Sequence, residues 1–282
     1  MRLFLLTTLT MIAFAANSVL NRFGVGDKLI DPLSFAMIRL LAGALMLAGL
    51  LLLRRGALWP GSKGRVTGVA ALLLYLFAFS LAYQGLDAGV GALILFGTVQ
   101  ITMFAVAVTQ RENIPWTRWV GAGLACLGLV WLLFPGAEGA VGDLTSMALM
   151  AAAGIGWGIY SLAGRHEPDA LAATAANFVL SVPIALVLIQ LLPMPASELP
   201  IQSLGIVLAI ASGALTSGLG YALWYTILPR LGATRAATAQ LSVPVIALAG
   251  GALILGEMPT LQFLVAALVV LGGVALSLRP TK

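Results

Sequence analysis

The chain has 282 residues, of which 61% are hydrophobic and only 9% are charged, and its mean hydropathy is +1.05. A soluble domain carries about 25% charged residues, so this composition excludes a soluble globular protein and predicts an all-α integral membrane protein. The net charge of +5 comes from basic residues scattered singly between apolar runs, which argues against nucleic acid as a partner. The one cysteine, Cys126, cannot form an internal disulfide or a metal cluster, and we expect no metal and no cofactor.

Ten apolar segments follow one another along the chain, each near the 20 residues that cross the hydrocarbon core as a helix. Helices are predicted because each segment must satisfy its own backbone polar groups in lipid. The first segment is kept as a span, since no cleavage site and polar mature domain follow it. The predicted spans are roughly 3–22, 32–53, 65–86, 88–109, 116–134, 142–163, 170–191, 203–227, 233–255 and 259–278.

The connections between the segments are short and carry helix-start signals. Asp31 can cap a helix, and Pro32 suits the first helical position. Residues 67–110 contain a single charge, Asp87, and are too long for one span. We therefore expect two helices joined by a tight turn at 85–87.

The basic residues are distributed unequally between the two ends of the predicted helices. With ten spans, 12 of the 15 lie on the side that holds the N-terminus, whereas Arg22 and Lys28 lie on the other side and Arg39 lies within the second span. Cytoplasmic loops carry an excess of Lys and Arg. The bias predicts a multi-pass protein of the bacterial inner (plasma) membrane, surrounded by lipid, with both termini cytoplasmic.

The chain repeats itself weakly. Residues 85–133 and 230–278 align without a gap, which sets Glu112 on Glu257 and Gly128 on Gly273. The alignment predicts two five-helix repeats, 1–135 and 136–282, in one transmembrane domain. Because five is odd, the second repeat enters the membrane from the opposite side. Inverted repeats are typical of secondary transporters, although a duplication can also simply build a stable bundle.

A specific pattern marks the second half. Tyr-Ala-Leu-Trp-Tyr at 221–225 is followed by Arg-Leu-Gly-Ala at 230–233, Pro244, Leu-Gly-Glu at 255–257 and Gly-Gly-Val at 272–274. This pattern resembles the EamA-like repeat of the drug/metabolite transporter superfamily, and within it the bacterial aromatic amino acid exporters. The resemblance implies a basket-like bundle with a central cavity lined mainly by helices 1, 3, 4, 6, 8 and 9. It also implies export or exchange of amino acids and other metabolites.

Charge within the spans is scarce. No Asp or Glu lies centrally in a predicted span, so a carrier without obligatory proton coupling is expected. Arg39 is the one charge well inside a span, and intramembrane charge usually marks function. It is a candidate to meet a solute carboxylate, and the alternative is an arginine that snorkels to the interface. Pro183 and Pro244 interrupt predicted helices and are candidate hinges.

Aromatic and amide side chains complete the candidate solute site. Rings on the third helix are predicted to face Tyr221 and Trp224 across a central space, since apolar walls with a few hydroxyls suit aromatic solutes. Core packing and interhelical hydrogen bonding are the alternatives. The predicted substrate-binding residues are Asn17, Asn21, Arg39, Tyr75, Phe79, Tyr83, Gln100, Trp157, Tyr160, Tyr221, Trp224, Tyr225 and Gln240.

These features predict a carrier whose partner is a small-molecule solute. It would export or equilibrate neutral or aromatic amino acids and related metabolites by alternating access, in a facilitative manner. A lipophilic drug or nucleoside exporter is the alternative within transport, and a non-transporting assembly protein or an enzyme is the alternative outside it. An enzyme is disfavoured because a phosphate loop and a nucleophile elbow are missing and His166 is the only histidine. The oligomeric state stays open.

Overall fold

All regular structure in the described part of the chain is helical. A computed structural model describes residues 2–56, 64–111, 114–133, 142–164, 167, 169–191 and 201–277. The helices of the first half are α1 (Arg2–Asn21), α2 (Pro32–Leu53), α3 (Arg65–Ala82), α4 (Ala88–Thr109) and α5 (Trp116–Leu133). Those of the second half are α6 (Leu144–Gly164), α7 (Ala170–Leu191), α8 (Ser203–Ala211), α9 (Gly220–Gln240), α10 (Ser242–Gly250) and α11 (Leu261–Ser277). Segments of π-helix follow α1, α8 and α10, at Arg22–Gly26, Ser212–Leu219 and Gly251–Leu255.

The helices have the length and composition of membrane spans. Seven helical stretches in the described residues are long and apolar enough to cross a bilayer, and three more apolar helices, 116–132, 242–255 and 261–277, are shorter. Their outer surfaces carry large exposed apolar side chains, such as Leu53 at 85% and Leu253 at 87% exposure. Water does not stabilise such a surface, so the prediction of an all-helical membrane protein is confirmed.

Two local predictions from the sequence match the structure. Asp31 caps α2, since its Oδ1 accepts hydrogen bonds from the backbone N–H groups of Leu33 and Ser34 at 3.1 and 2.9 Å. The tight turn between α3 and α4 lies between Ala82 and Ala88. The long apolar run is therefore two helices, as its length required.

One predicted connection is wrong. The sequence interpretation ended the eighth span at 227 and began the ninth at 233, but α9 continues as a helix through this stretch to Gln240, and the break falls at Leu241. Alanine is the best helix former, and the alanines at 233, 236, 237 and 239 sustain the helix beyond Gly232. Pro244 then lies in the first turn of α10. The N–H groups of a first turn have no partner within the helix, so a proline there costs no helical hydrogen bond.

Close helix contacts build the centre of the bundle. Helix α3 packs on α6, α4 on α6, α5 on α11, and α2 on α7. At Gly156 of α6 an added Cβ would lie 2.9 Å from the carbonyl oxygen of Ala71 and from the backbone nitrogen of Tyr75, so only glycine permits this approach. Gly213 brings the chain still closer to the backbone carbonyl of Arg39 on α2. These two contacts position the residues of the candidate site.

Candidate solute-binding site

The π-helical segment Ser212–Leu219, here called the polar turn, supplies hydroxyl groups to the interior. A π-helix closes its hydrogen bonds from residue i to i+5, so residues four and five positions apart share a face. Ser212, Thr216 and Ser217 are all buried, and they meet side chains of α1 and α2. Single π-helical turns are frequent at functional sites, and this one joins the two halves of the chain.

Two asparagines of α1 connect to the polar turn. The Oδ1 atom of Asn17 accepts hydrogen bonds from Ser212 Oγ at 2.6 Å and from Thr216 Oγ1 at 3.1 Å. Asn21 donates to Ser212 Oγ at 3.2 Å and accepts from Ser80 Oγ at 2.9 Å. Buried amides need such partners. The network therefore fixes α1 against both α3 and the polar turn.

Arg39 of α2 is completely buried, with 0% of its surface exposed. Its Nε donates to Ser217 Oγ at 3.2 Å, and its Nη2 donates to the Tyr75 hydroxyl at 2.8 Å. The guanidinium carbon lies 5.1 Å from the ring centre of Tyr75 and 4.9 Å from that of Phe79, within the range of cation–π attraction. The Nη1 atom is buried without a hydrogen-bond partner. Arg39 is thus a fixed cation inside the bundle, and it does not snorkel to the surface.

The hydroxyl of Tyr75 is the common partner of the polar groups. It lies 2.8 Å from Arg39 Nη2, 3.2 Å from Asn17 Nδ2 and 3.3 Å from the Tyr221 hydroxyl, each in a hydrogen bond. Helices α1, α2, α3 and α9 therefore meet at a single oxygen atom. The residues that surround it come from both halves of the chain.

Aromatic rings enclose this polar cluster. The ring of Trp157 lies 4.8 Å from Tyr221, 5.0 Å from Tyr75 and 5.6 Å from Tyr160, measured between centres. Phe14 packs edge-on against Trp157 and Tyr221, at 6.1 and 5.8 Å. These separations are typical of attractive aromatic pairs. The site is an apolar shell around a few polar atoms, which is the usual composition of a small-molecule site.

The space between these groups is small in this conformation. A cavity of about 10 Å³ lies at the centre, which is about the room that one water molecule needs. Its lining residues are Phe14, Asn17, Ser18, Tyr75, Phe79, Leu95, Phe96, Trp157 and Tyr221. The hydroxyls of Tyr75 on α3 and Tyr221 on α9 lie 3.3 Å apart at its edge, so little open space remains between the two helices. A solute enters only if the helices move apart.

The structure brings most of the predicted residues together and leaves others apart. Tyr83 is buried against Phe79 at 4.8 Å, and its hydroxyl donates to the Ala88 carbonyl at 3.4 Å, outside the cavity lining. Trp224 packs behind Phe14 at 5.7 Å. The amides Gln100 (half-buried) and Gln240 (buried) lie elsewhere on α4 and α9.

Three further predictions concern single residues. The side chain of Tyr225 lies outside the described part of the structure. Pro183 is exposed on the outer face of α7, which continues through it without a break. Pro244 is buried three residues after the break at Leu241. Their roles as hinges stay predictions.

Sequence reasoning did not single out the hydroxyl groups of this site. Ser80, Ser212, Thr216 and Ser217 all hydrogen-bond to predicted residues. The signal was present in the sequence Ser-Gly-Ala-Leu-Thr-Ser-Gly at 212–218, where three hydroxyls interrupt an apolar span. An α-helical projection does not place all three on one face as the π-helical turn does.

A second charged cluster closes one end of the bundle, here called the Glu257 end. Arg22 Nε lies 2.9 Å from Glu257 Oε1, and other atoms of the guanidinium lie 3.6 Å from Asp27 and 3.7 Å from Asp87. Glu257 Oε2 accepts a hydrogen bond from the Ala88 backbone N–H at 2.9 Å. Burial raises the pKa of Glu257, against the opposing effects of the Ala88 N–H and Arg22. The cluster ties the first half of the chain to the second.

The opposite end, here called the Arg65 end, is joined by different contacts. Arg65 donates to the Ala173 carbonyl at 2.7 Å and to Asn177 Oδ1 at 2.8 Å, which links α3 to α7. Arg54 and Asp169 form an exposed pair at 3.4 Å, and such pairs contribute little to stability. The Glu257 side chain is 8% exposed, whereas that of Asp169 at the Arg65 end is 37% exposed.

The described part of the chain thus defines a class: a helical membrane protein with one buried polar and aromatic site between its halves. A model of the EamA-like transporter family matches residues 1–134 and 144–279, and the chain belongs to that family. The resemblance inferred from residues 221–274 is confirmed.

Related proteins agree with this assignment. An uncharacterized protein of Pseudomonas aeruginosa is 46% identical over 279 residues, which cover 99% of this chain and 95% of that protein. A Salmonella typhimurium protein named a probable amino-acid metabolite efflux pump is 25% identical over 209 residues, 71% of this chain and 70% of its own length. A solved crystal structure superposes with a TM-score of 0.66 at 18% identity and covers 98% of this chain and 96% of its own. At that identity, the superposition shows that the fold is shared.

Proposed function

We propose that this protein exports or equilibrates neutral and aromatic amino acids and related small metabolites by alternating access. The observation that carries the proposal is the buried meeting point of both halves at Tyr75, where aromatic rings surround a few hydrogen-bonding groups. Aromatic walls suit apolar and aromatic side chains, and the amides and the guanidinium suit the polar end of an amino acid. The name of the Salmonella typhimurium relative, a probable amino-acid metabolite efflux pump, supports the same class of solute.

The pairing of the helices supports two inverted halves, 1–135 and 136–282, with ten spans. If the halves correspond, α1 is the equivalent of α6, α3 that of the polar turn, and α4 that of α10. The contact of α3 with α6 should then recur between the polar turn and α1, and the contact of α4 with α6 should recur between α10 and α1. Both pairs occur. The pairs α2–α7 and α5–α11 would each map onto themselves. Such symmetry allows two halves to exchange conformations and expose a central site to either side. Glu112, the predicted equivalent of Glu257, lies outside the described residues.

The described conformation corresponds to a closed state in this scheme. The cavity has room for about one water molecule, which is too little for an amino acid. Opening at the Glu257 end requires separation of Arg22 from Glu257, which belong to different halves. The charge bias supports an orientation in which this end faces away from the cytoplasm, in a bacterial inner membrane.

Carboxylate positions favour a facilitative mechanism. The acidic side chains of the described residues all lie in connections or at helix ends, and the central cluster contains none. A proton carrier in the membrane usually needs a buried ionisable group for the proton. Downhill flux should therefore continue when the pH gradient is removed with an ionophore. Strict dependence on the gradient would contradict facilitative transport.

The proposal is tested by counterflow in proteoliposomes. Vesicles loaded with one unlabelled amino acid should accumulate the same labelled amino acid, and vesicles without protein should not. Neutral and aromatic amino acids are screened in parallel with a nucleoside and a lipophilic drug. Counterflow of the last two alone would support the alternative exporter, and no flux of any solute would contradict a transport function.

A further inference from the structure

A buried cation without a counterion is unusual in a protein interior. Arg39 is fully buried, and among the described residues no carboxylate pairs with it. The two atoms that do donate, Nε and Nη2, donate to neutral hydroxyl oxygens, and Nη1 has no partner. Leaving a charged group only partly satisfied in a low-dielectric interior is expensive. An anion that enters the site would remove that penalty.

The guanidinium is also held in place. Ser217 and the hydroxyl of Tyr75 fix two of its nitrogens, while the Phe79 ring lies 4.9 Å from its central carbon. Tyr75 and Phe79 themselves line the central cavity. Arginine presents donors in a planar fork that matches a carboxylate. Arg39 itself is not in the lining but packs on these two rings, with Nη1 as its unpaired donor. A guanidinium held next to the cavity wall is suited to bind a carboxylate group once the helices move apart.

From these two observations we infer that Arg39 binds the carboxylate of the transported solute, through donors that include the Nη1 atom. This inference rests on the proposed function and narrows its substrate class to small solutes that carry a carboxylate, such as α-amino acids. An amide, an ester or an amine of the same shape lacks the anion, so it leaves the guanidinium uncompensated. The aromatic shell then accommodates the remainder of the solute.

The test compares an amino acid with its own carboxamide. The two differ only in the group that faces Arg39, and competition against labelled amino acid avoids errors from passive leakage of the amide. In the wild-type protein we expect the carboxamide of the best transported amino acid to compete at least about 10-fold more weakly than the acid. In Arg39→Gln the acid and the amide should compete within about 2-fold of each other.

Two controls accompany the comparison. Arg54→Gln removes an arginine of the exposed pair at the Arg65 end and should keep the wild-type ratio of acid to amide. Ser217→Ala retains the charge but removes one hydrogen-bond partner of Arg39, so its ratio should fall between those of wild type and Arg39→Gln. Size-exclusion chromatography in detergent checks that each variant is folded.

The wild-type protein alone can overturn the inference. If its amino-acid counterflow is intact and the amide competes as well as the acid, Arg39 is a packing residue and the proposed function survives. If no amino acid is transported at all, the proposed function itself has failed. An Arg39→Gln variant that is folded and keeps the full acid preference also overturns the inference.

Discussion

At the scale of single residues, the central site depends on one hydroxyl group. The Tyr75 oxygen receives hydrogen bonds from α1 and α2 and shares one with Tyr221 of α9. A buried donor that loses its partner retains the full penalty of desolvation, which exceeds the net gain of an ordinary hydrogen bond. Removal of this one oxygen therefore leaves several buried donors without a partner and should lower the stability of the protein.

Tyr75→Phe should destabilise the protein by about 1–3 kcal/mol, because Arg39 Nη2 and Asn17 Nδ2 both lose a partner. Thermal unfolding in detergent measures the change as a lower midpoint temperature. Tyr83→Phe is the matched control, since its hydroxyl bonds to the Ala88 carbonyl at 3.4 Å and to Ser18, whereas Arg39 and Asn17 donate to Tyr75. Equal midpoints for the two variants would contradict the central role of Tyr75.

Trp157 is one of the rings that line the central cavity, in contact with Tyr75 and Tyr221. Trp157→Leu should weaken the apparent affinity for aromatic solutes about 2- to 13-fold, the equivalent of one aromatic contact of roughly 0.5–1.5 kcal/mol. Small aliphatic solutes should be affected less. Dose-dependent inhibition of counterflow measures both.

The matched control for this change is Trp131→Leu. Trp131 is 58% exposed on α5 and faces away from the cavity, so the same substitution should leave solute selectivity unchanged. A selectivity change in Trp131→Leu and none in Trp157→Leu would mean that the solute site lies elsewhere.

At the scale of elements, the polar turn and the Glu257 end decide how the halves are joined. The π-helical register of Ser212–Leu219 directs hydroxyls toward α1 and α2. Glu257 accepts from the first backbone N–H of α4 while it pairs with Arg22. A carboxylate at a helix N-terminus is stabilised by the helix dipole as well. Both devices join segments that are more than 160 residues apart.

The raised pKa of Glu257 sets the sign of a pH effect. Burial raises this pKa above 4.5, the ordinary value for glutamate, whereas exposure to water in an open state restores the ordinary value. Protonation favours the state with the higher pKa. The closed Glu257 end is therefore stabilised as the pH falls through the raised pKa, and this stabilisation is lost as the pH rises through it.

Maleimide labelling of Ser18→Cys, at a position that lines the cavity, measures this opening in a protein that also carries Cys126→Ala. When the maleimide is applied from the side of the Glu257 end, the labelling rate should fall on acidification. The fall should exceed the one that protonation of the cysteine thiol alone would cause. Glu257→Gln keeps an oxygen acceptor for Ala88 but cannot titrate, so its labelling provides the reference at each pH. The ratio of the wild-type labelling rate to that of Glu257→Gln should fall as the pH falls. A ratio that rises on acidification would contradict the predicted sign.

At the scale of the whole molecule, the orientation of the bundle in the membrane can be tested on α4. Gln84 and Gln110 are exposed at its two ends, before Ala88 and after Thr109. The charge bias predicts that Gln84 lies outside the cytoplasm and Gln110 inside it. Impermeant thiol reagents applied to intact cells should label Gln84→Cys and not Gln110→Cys. The opposite pattern would invert the orientation, and labelling of both would contradict a spanning α4.

Composition, motifs and helix-start signals are enough to predict the helical membrane class, the family and most helix ends. Lipid restricts the secondary structure of a spanning segment to helix, because every backbone polar group must be paired within the segment itself. Local chemistry at Asp31 and Pro32 therefore suffices to start α2. Polar groups are rare in an apolar interior and each needs a partner. For that reason the sequence alone singles out Asn17, Asn21, Arg39 and Tyr75 as candidates.

The partners of those groups, in contrast, follow from how the helices pack in three dimensions. Asn17 and Ser212 are 195 residues apart in the chain, and no local rule predicts their contact or the π-helical register that permits it. The same holds for Glu257 at the start of α4 and for the choice of Trp157 over Tyr83 in the cavity lining. Periodicity specifies which face of a helix is polar, but the packing of helices against one another decides what that face meets.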